Sequence, residues 1–141
     1  MAKLHSLIRY RRHDLDEKRR ILADLNTELE RLQMHRQKTI DDLAREKNLA
    51  AVDLECARHF PAYLSKMTEQ IELQNQVIAF KVREVQAATH VVQEAYLEVK
   101  KLEITQERRD KEESDRINKI ESDTLDEIGL QSFRRNQEEK N

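Results

Sequence analysis

One glycine, one proline, one cysteine and no tryptophan occur in 141 residues. Average usage would put about ten glycines and about seven prolines in a chain this long, and strands, hairpins and tight connections need them at their turns. Sheet folds, dinucleotide-binding units and glycine-rich phosphate loops are therefore excluded. The lone Cys56 leaves no internal disulfide, which suits a reducing compartment. No run approaches the roughly 20 apolar residues of a membrane span. The N-terminus passes from Met1 to Arg9, Arg11 and Arg12 without a signal-peptide core, so the expectation is a soluble protein that stays inside the cell. Nor does one sign of charge dominate. The 26 Lys and Arg against 28 Asp and Glu leave a net charge of -2, which gives no global attraction for nucleic acid or an anionic membrane. Disorder is disfavoured because the charge cancels and the apolar residues recur with a period.

That period is the heptad. Leu64, Ile71, Ile78, Val85, Val92 and Val99 are all apolar, and three residues on come Met67, Gln74, Lys81, Ala88, Ala95 and Leu102, a coiled-coil pattern interrupted only by Gln74 and Lys81. The first half shows Ile8, Leu15, Leu22 and Leu29 in one row and Leu4, Leu25 and Leu32 in the other, with Arg11 and Lys18 interrupting. Beyond Leu29 the spacing suggests steps of 11, through Leu29, Ile40 and Ala51 and through Leu32, Leu43 and Leu54, which predicts a straighter helix there.

The single proline stands between the two periodic halves, in His59-Phe60-Pro61-Ala62. Proline disfavours helix at the residue before it and fits the first turn of a new one. The fold class expected is all-α, a two-helix antiparallel coiled-coil hairpin forming one domain. Its parts are a helix over about 3–58, a turn near 59–61, a helix over about 61–128 and a frayed tail over 129–141. Charge favours the hairpin over a kinked helix in a parallel dimer. Residues 1–20 hold 7 basic and 3 acidic side chains, net +4, and residues 103–127 hold 5 and 10, net -5; folding back sets them alongside each other. Each arm would be about 80 Å long at 1.5 Å per residue, so a rod is expected. Matching heptads pairs Leu29 with Ala88 or with Ala95. The Ala88 register is preferred and brings Val85 and Val92 against Leu32 and Leu25. Gly129 is placed to stop the second helix, with Leu125, Ile128, Leu130 and Phe133 clustered around it.

Chemistry has little to stand on. No two of the five histidines are four apart. Cys56 and His59 supply two ligands where structural zinc needs four, and they read as a helix-end pair without metal. His90 and Glu94 read as a solvated contact. There is no nucleophile, base and acid constellation, nucleotide cradle or HExxH stretch, and a two-helix rod has no concavity in which to desolvate a reaction; neither an enzyme nor a cofactor is expected. The basic run Arg9, Arg11, Arg12, Lys18, Arg19 and Arg20 is broken by Asp14, Asp16 and Glu17, which argues against nucleic acid as a partner. Near the turn, Phe60, Tyr63, Met67, Gln70 and Gln74 fall on one strip that either closes the hairpin end or docks a partner.

Several stretches resemble the FliJ proteins of the bacterial flagellar type III export apparatus: the opening LIRYRRHDLDEKRRILADL, the run FPAYLSKMTEQIELQNQVI, the charged YLEVKKLEITQERR and the closing LDEIGLQSFRR. The resemblance spans the chain. It implies a cytoplasmic, non-enzymatic stalk at the base of the export apparatus, with no membrane insertion of its own. Its partners would be a hexameric export ATPase, the cytosolic part of an export gate membrane protein, and export chaperones. Residues 1–25 and 105–130 would enter the ATPase ring, with Arg9, Arg12, Arg20, Ile128 and Phe133 as ring-binding residues. Tyr63, Met67, Gln70 and Gln74 match the family's gate-facing strip, although its two glutamines make it more polar than the family pattern. The stalk of a virulence injectisome has the same architecture. A holdase chaperone and a self-associating structural coiled coil are the readings from other classes.

Overall fold

Two helices, α1 (Ala2–Ala50) and α2 (Leu54–Lys140), account for every described residue except 51–53; the computed structural model describes residues 2–140. The fold is all-α, and the helices pack together as a hairpin. The reversal lies at 51–53, not at 59–61, and Pro61 sits inside α2. Local hydrogen bonding explains why. The Asp53 carboxylate accepts the backbone N–H of Glu55 at 2.9 Å and of Cys56 at 3.5 Å, which caps the first turn of α2. The carbonyls of Lys47 and Leu49 close the end of α1 by accepting from Ala51, Val52 and Asp53. No described residue has a positive φ, so this turn needs neither glycine nor proline. Pro61, several residues into α2, forfeits one helix bond at a cost of about 3 kcal/mol, and the helix is continuous through it. Asp53→Ala is expected to lower stability by about 1 kcal/mol, with faster amide exchange at Glu55 and Cys56 as the local readout.

Gly129 does not end α2, which runs to Lys140. The expected tail at 129–141 is thus helical over its described residues. A Cβ built at Gly129 meets nothing within 4 Å, and the backbone there is helical, so Gly129→Ala should firm the tail by about 1 kcal/mol and slow amide exchange around it.

Contacts divide the chain into two compact units. The first is Arg11–Leu97. In it the α1 positions turned toward α2 are Leu15, Lys18, Leu22, Leu25, Leu29, Leu32, Arg36, Thr39, Leu43, Glu46 and Ala50, an unbroken alternation of four and three. The steps of 11 are therefore wrong: Ile40, Ala51 and Leu54 are exposed. The heptad continues through polar residues because each finds a partner across the seam. Arg36 Nη1 donates to Asn75 Oδ1 at 2.9 Å, and Gln74 Nε2 donates to Thr39 Oγ1 at 3.0 Å. Farther along, Lys81 Nζ donates to Glu28 Oε2 at 3.0 Å and to Glu84 Oε2 at 3.1 Å. Gln74 and Lys81, the two breaks in the α2 pattern, are thus the residues that tie the helices together. These pairs set Leu29 opposite Lys81, one heptad short of the preferred Ala88 register. Leu32 accordingly lies by Ile78, and Val92 by Arg19. The shift follows from the earlier turn. At the turn end the seam also rotates: Leu64 is exposed, and Tyr63 faces inward instead.

The second unit joins residues 2–10 to 98–140. It buries Ile8 against solvent together with Val99 and Gln106. The Gln106 amide donates to Asp110 at 2.7 Å, and its carbonyl oxygen is buried without a partner among the described atoms. From residue 107 onward every described residue is exposed. Lys18, Arg19 and Arg20 pair with Asp14, Asp16 and Glu17 on their own helix.

Candidate functional site

The strip read from the family pattern lies wholly in the Arg11–Leu97 unit. Tyr63, Met67, Gln70 and Gln74 follow one another at spacings of four, three and four, so they share one face of α2, and all four are half-buried along the edge of the seam. The strip is polar where it is most enclosed. Gln74 gives its amide to Thr39, and its carbonyl oxygen is buried with no partner. A cleft of about 240 Å³ opens beside it, lined by Leu32, His35, Gln70, Leu73, Gln74, Val77 and Ile78. A second, of about 370 Å³, lies at the turn end between Glu46, Glu55, Cys56, His59, Phe60 and Tyr63. Tyr63 belongs to the wall of one cleft, and Gln70 and Gln74 to the other.

The Cys56 thiol in the turn-end cleft is pushed above its ordinary value, first by burial and then by the neighbouring Asp53 carboxylate. Less thiolate forms at neutral pH, so alkylation of Cys56 should be slower than that of a free thiol at pH 7 and should catch up only in alkaline solution. Among the described residues no three His, Cys, Asp or Glu side chains gather to hold a metal ion. His90 Nε2 lies 3.1 Å from Glu94 Oε1, with both side chains largely exposed, a geometry with no enclosed space for proton transfer.

The cross-seam bridge carries the clearest electrostatics. The hydrogen bonds that Lys81 donates to Glu28 and Glu84 hold its ammonium above its usual value, and the one that Glu28 accepts holds the Glu28 carboxyl below its own. A carboxyl lowered on folding contributes stability above its unfolded value and loses it as pH falls through the folded one. The half-exposed position of Glu28 keeps that contribution small.

The ring-binding residues read from the resemblance are all exposed, and they fall in both units. Arg12 and Arg20 belong to Arg11–Leu97; Arg9, Ile128 and Phe133 belong to the other. Arg11 and Lys18 are half-buried toward the seam, as their heptad positions require. Because α2 continues through Gly129, the four apolar residues near it do not cluster. At about 100° per residue Ile128 keeps the phase of Ile117, Ile120 and Thr124, whereas Leu130 and Phe133 point to the far side of the helix. That Ile117–Ile128 row repeats the phase of the buried Val99 and Gln106. It is the seam face of α2 carried past the first described residues of α1, and no described residue of the chain covers it.

No helix among the described residues is long and apolar enough to cross a membrane. No curated protein and no solved structure matches the chain. The family model described as the flagellar FliJ protein matches residues 1–138. The all-helical hairpin agrees with that match over almost its whole length, and the chain belongs to the FliJ family, coiled-coil proteins of flagellar export.

Proposed function

We propose that this chain is a non-enzymatic stalk that couples a hexameric export ATPase to the cytosolic part of an export gate and also binds export chaperones. The observation that carries this reading is the uncovered seam face of α2. Ile117, Ile120 and Ile128 continue the buried phase of Val99 and are 43%, 52% and 53% exposed over a helix that runs to Lys140. An apolar row on the seam side of the helix that no described residue of the chain covers is a surface built for another molecule. The basic outer side chains Arg9, Arg12 and Arg20 supply the charge that a ring pore would read, and Tyr63, Met67, Gln70 and Gln74 supply the gate-facing strip. A single stalk in a six-fold pore cannot satisfy six identical sites, so it favours unlike subunit states and promotes assembly or turnover.

Adding the purified chain to its cognate export ATPase and following turnover and hexamer formation tests the reading; no change in either overturns it. Arg9→Glu with Arg20→Glu refines the test. Exposed charges contribute under about 0.5 kcal/mol to folding, so helicity should be unchanged. Stimulation should fall several-fold at low salt and converge on the parent at high salt, because screening removes the charge term. Equal stimulation at low salt would make the basic face a merely solvated one.

A further inference from the structure

Outside the seam, α2 carries a second apolar row. Leu73, Val77, Phe80 and Val91 are 56%, 50%, 60% and 41% exposed. Glu84 and Ala87 fill the steps between them, so the row keeps a spacing of four and three over 73–91. At about 100° per residue it lies roughly a third of a turn round the helix from the seam row that contains Ile78 and Val85. Scattered apolar residues on a surface need no explanation, but a heptad row does, because a period of 3.5 is the pattern that one helix presents to another running beside it. Between Leu73 and Val91 the row shares no residue with the ring or gate candidates, although Leu73 and Val77 line the cleft beside Gln70 and Gln74 and Gln70 fills the step from Leu73 to Lys66.

We propose that through this row two copies of the chain pair side by side and antiparallel. The charges along the row choose the occupant and the direction. Lys66 continues the row at one end and Glu94 at the other, so a parallel second copy would set Glu94 against Glu94 and Lys66 against Lys66. Antiparallel pairing about the level of residue 82 brings Lys66 of one copy to within four residues, about 6 Å along the axis, of the level of Glu94 of the other, twice, as a two-fold contact requires. The same register sets Leu73 opposite Val91 and Val77 opposite the small Ala87. It also lays Phe80 beside Glu84 of the second copy, whose carboxylate is already held by its own Lys81 in each chain. The contact is short, so the pair is a weak one, dissociating in the micromolar range.

Sedimentation equilibrium of the full chain from low to several hundred micromolar should show a monomer giving way to a dimer. Phe80→Glu should weaken that association at least about tenfold without loss of helicity. Direction is read by cysteine pairing in a Cys56→Ser background. Copies carrying Val77→Cys are mixed with copies carrying Ala87→Cys and oxidised. The mixed disulfide should exceed either like disulfide several-fold, since in the antiparallel pair two copies of residue 77 stand about 15 Å apart along the axis, beyond disulfide reach. A chain that stays monomeric throughout, an unaltered dimer in Phe80→Glu, or like disulfides equal to mixed ones would each overturn the proposal. The monomeric result would leave the row to a helix of a different protein.

Discussion

Replacing Ile78 with aspartate is expected to lower the thermal midpoint by about 10 °C or more. Ile78 is one of the few buried apolar side chains of the Arg11–Leu97 unit, and it lies beside Leu32 across the seam. The nearest seam cation along the helix, Lys81, is already held by Glu28 and Glu84, and an uncompensated buried charge costs about 3 kcal/mol or more, which converts to that shift for a domain of this size. The seam is thin: no described side chain is less than 2% exposed, so a single layer is a large fraction of total stability. Val52→Asp, at an exposed turn residue, serves as the control and should change stability by under about 0.5 kcal/mol. If Ile78→Asp melts with the parent, the seam phase is wrong, and with it the assignment of every outward face.

The layer around Ile78 also shows how far the sequence could be read. The apolar heptads on α2 from Ile71 to Val99 announced the helix and its buried face, and Ile8 and Leu15 did the same for α1, because periodic burial leaves its mark on composition. The register did not show. It is set by Thr39 with Gln74, Arg36 with Asn75, and Lys81 with Glu28, polar residues that look like breaks in an apolar pattern until their partners from the other helix are known. Reading Ile40 and Leu54 as core was the direct result, since skipping Arg36 and Thr39 manufactured a step of 11. A buried polar pair contributes less to stability than an apolar one while penalising every register that separates its members.

The turn was misplaced for a related reason. Pro61 is the conspicuous breaker, yet its cost of about 3 kcal/mol can be borne inside a helix of 87 residues. Asp53, a common residue type, directs the reversal through two short-range hydrogen bonds. Gly129 misled in the same way, since glycine permits a left-handed cap without demanding one. Among the candidate site residues, Arg9 and Arg20 could be placed on the outward side from heptad phase alone. The same phase sets Arg12 at the flank of the seam, and Ile128 shares the phase of the buried Val99 and is exposed because no described residue of α1 reaches it. Phe133 could not be grouped with Ile128, because that depended on whether the helix passes Gly129.

Substituting Ile117, Ile120 and Ile128 together with aspartate is expected to reduce the concentration-dependent stimulation of the export ATPase by at least about tenfold while leaving the thermal midpoint of the chain unchanged. The two halves of this expectation have separate physical grounds. Residues from 107 onward are exposed, so the three side chains make no contribution to intrachain packing that a melt would register. As the seam-phase row of α2 they are the apolar anchors of any contact made there, and truncating or charging the anchors of an interface removes most of its affinity. The loss should persist at high salt, unlike that of Arg9→Glu with Arg20→Glu, because it removes apolar burial and not long-range attraction. Leu130→Asp with Phe133→Asp, on the opposite side of the same helix, separates a one-sided contact from a pore that grips α2 all round. A smaller effect from this pair assigns the contact to the seam-phase row; an equal effect from both sets assigns it to the whole circumference. Full stimulation by the triple variant would mean that the uncovered row is not the ring-binding face, and the stalk reading would lose the observation that carries it.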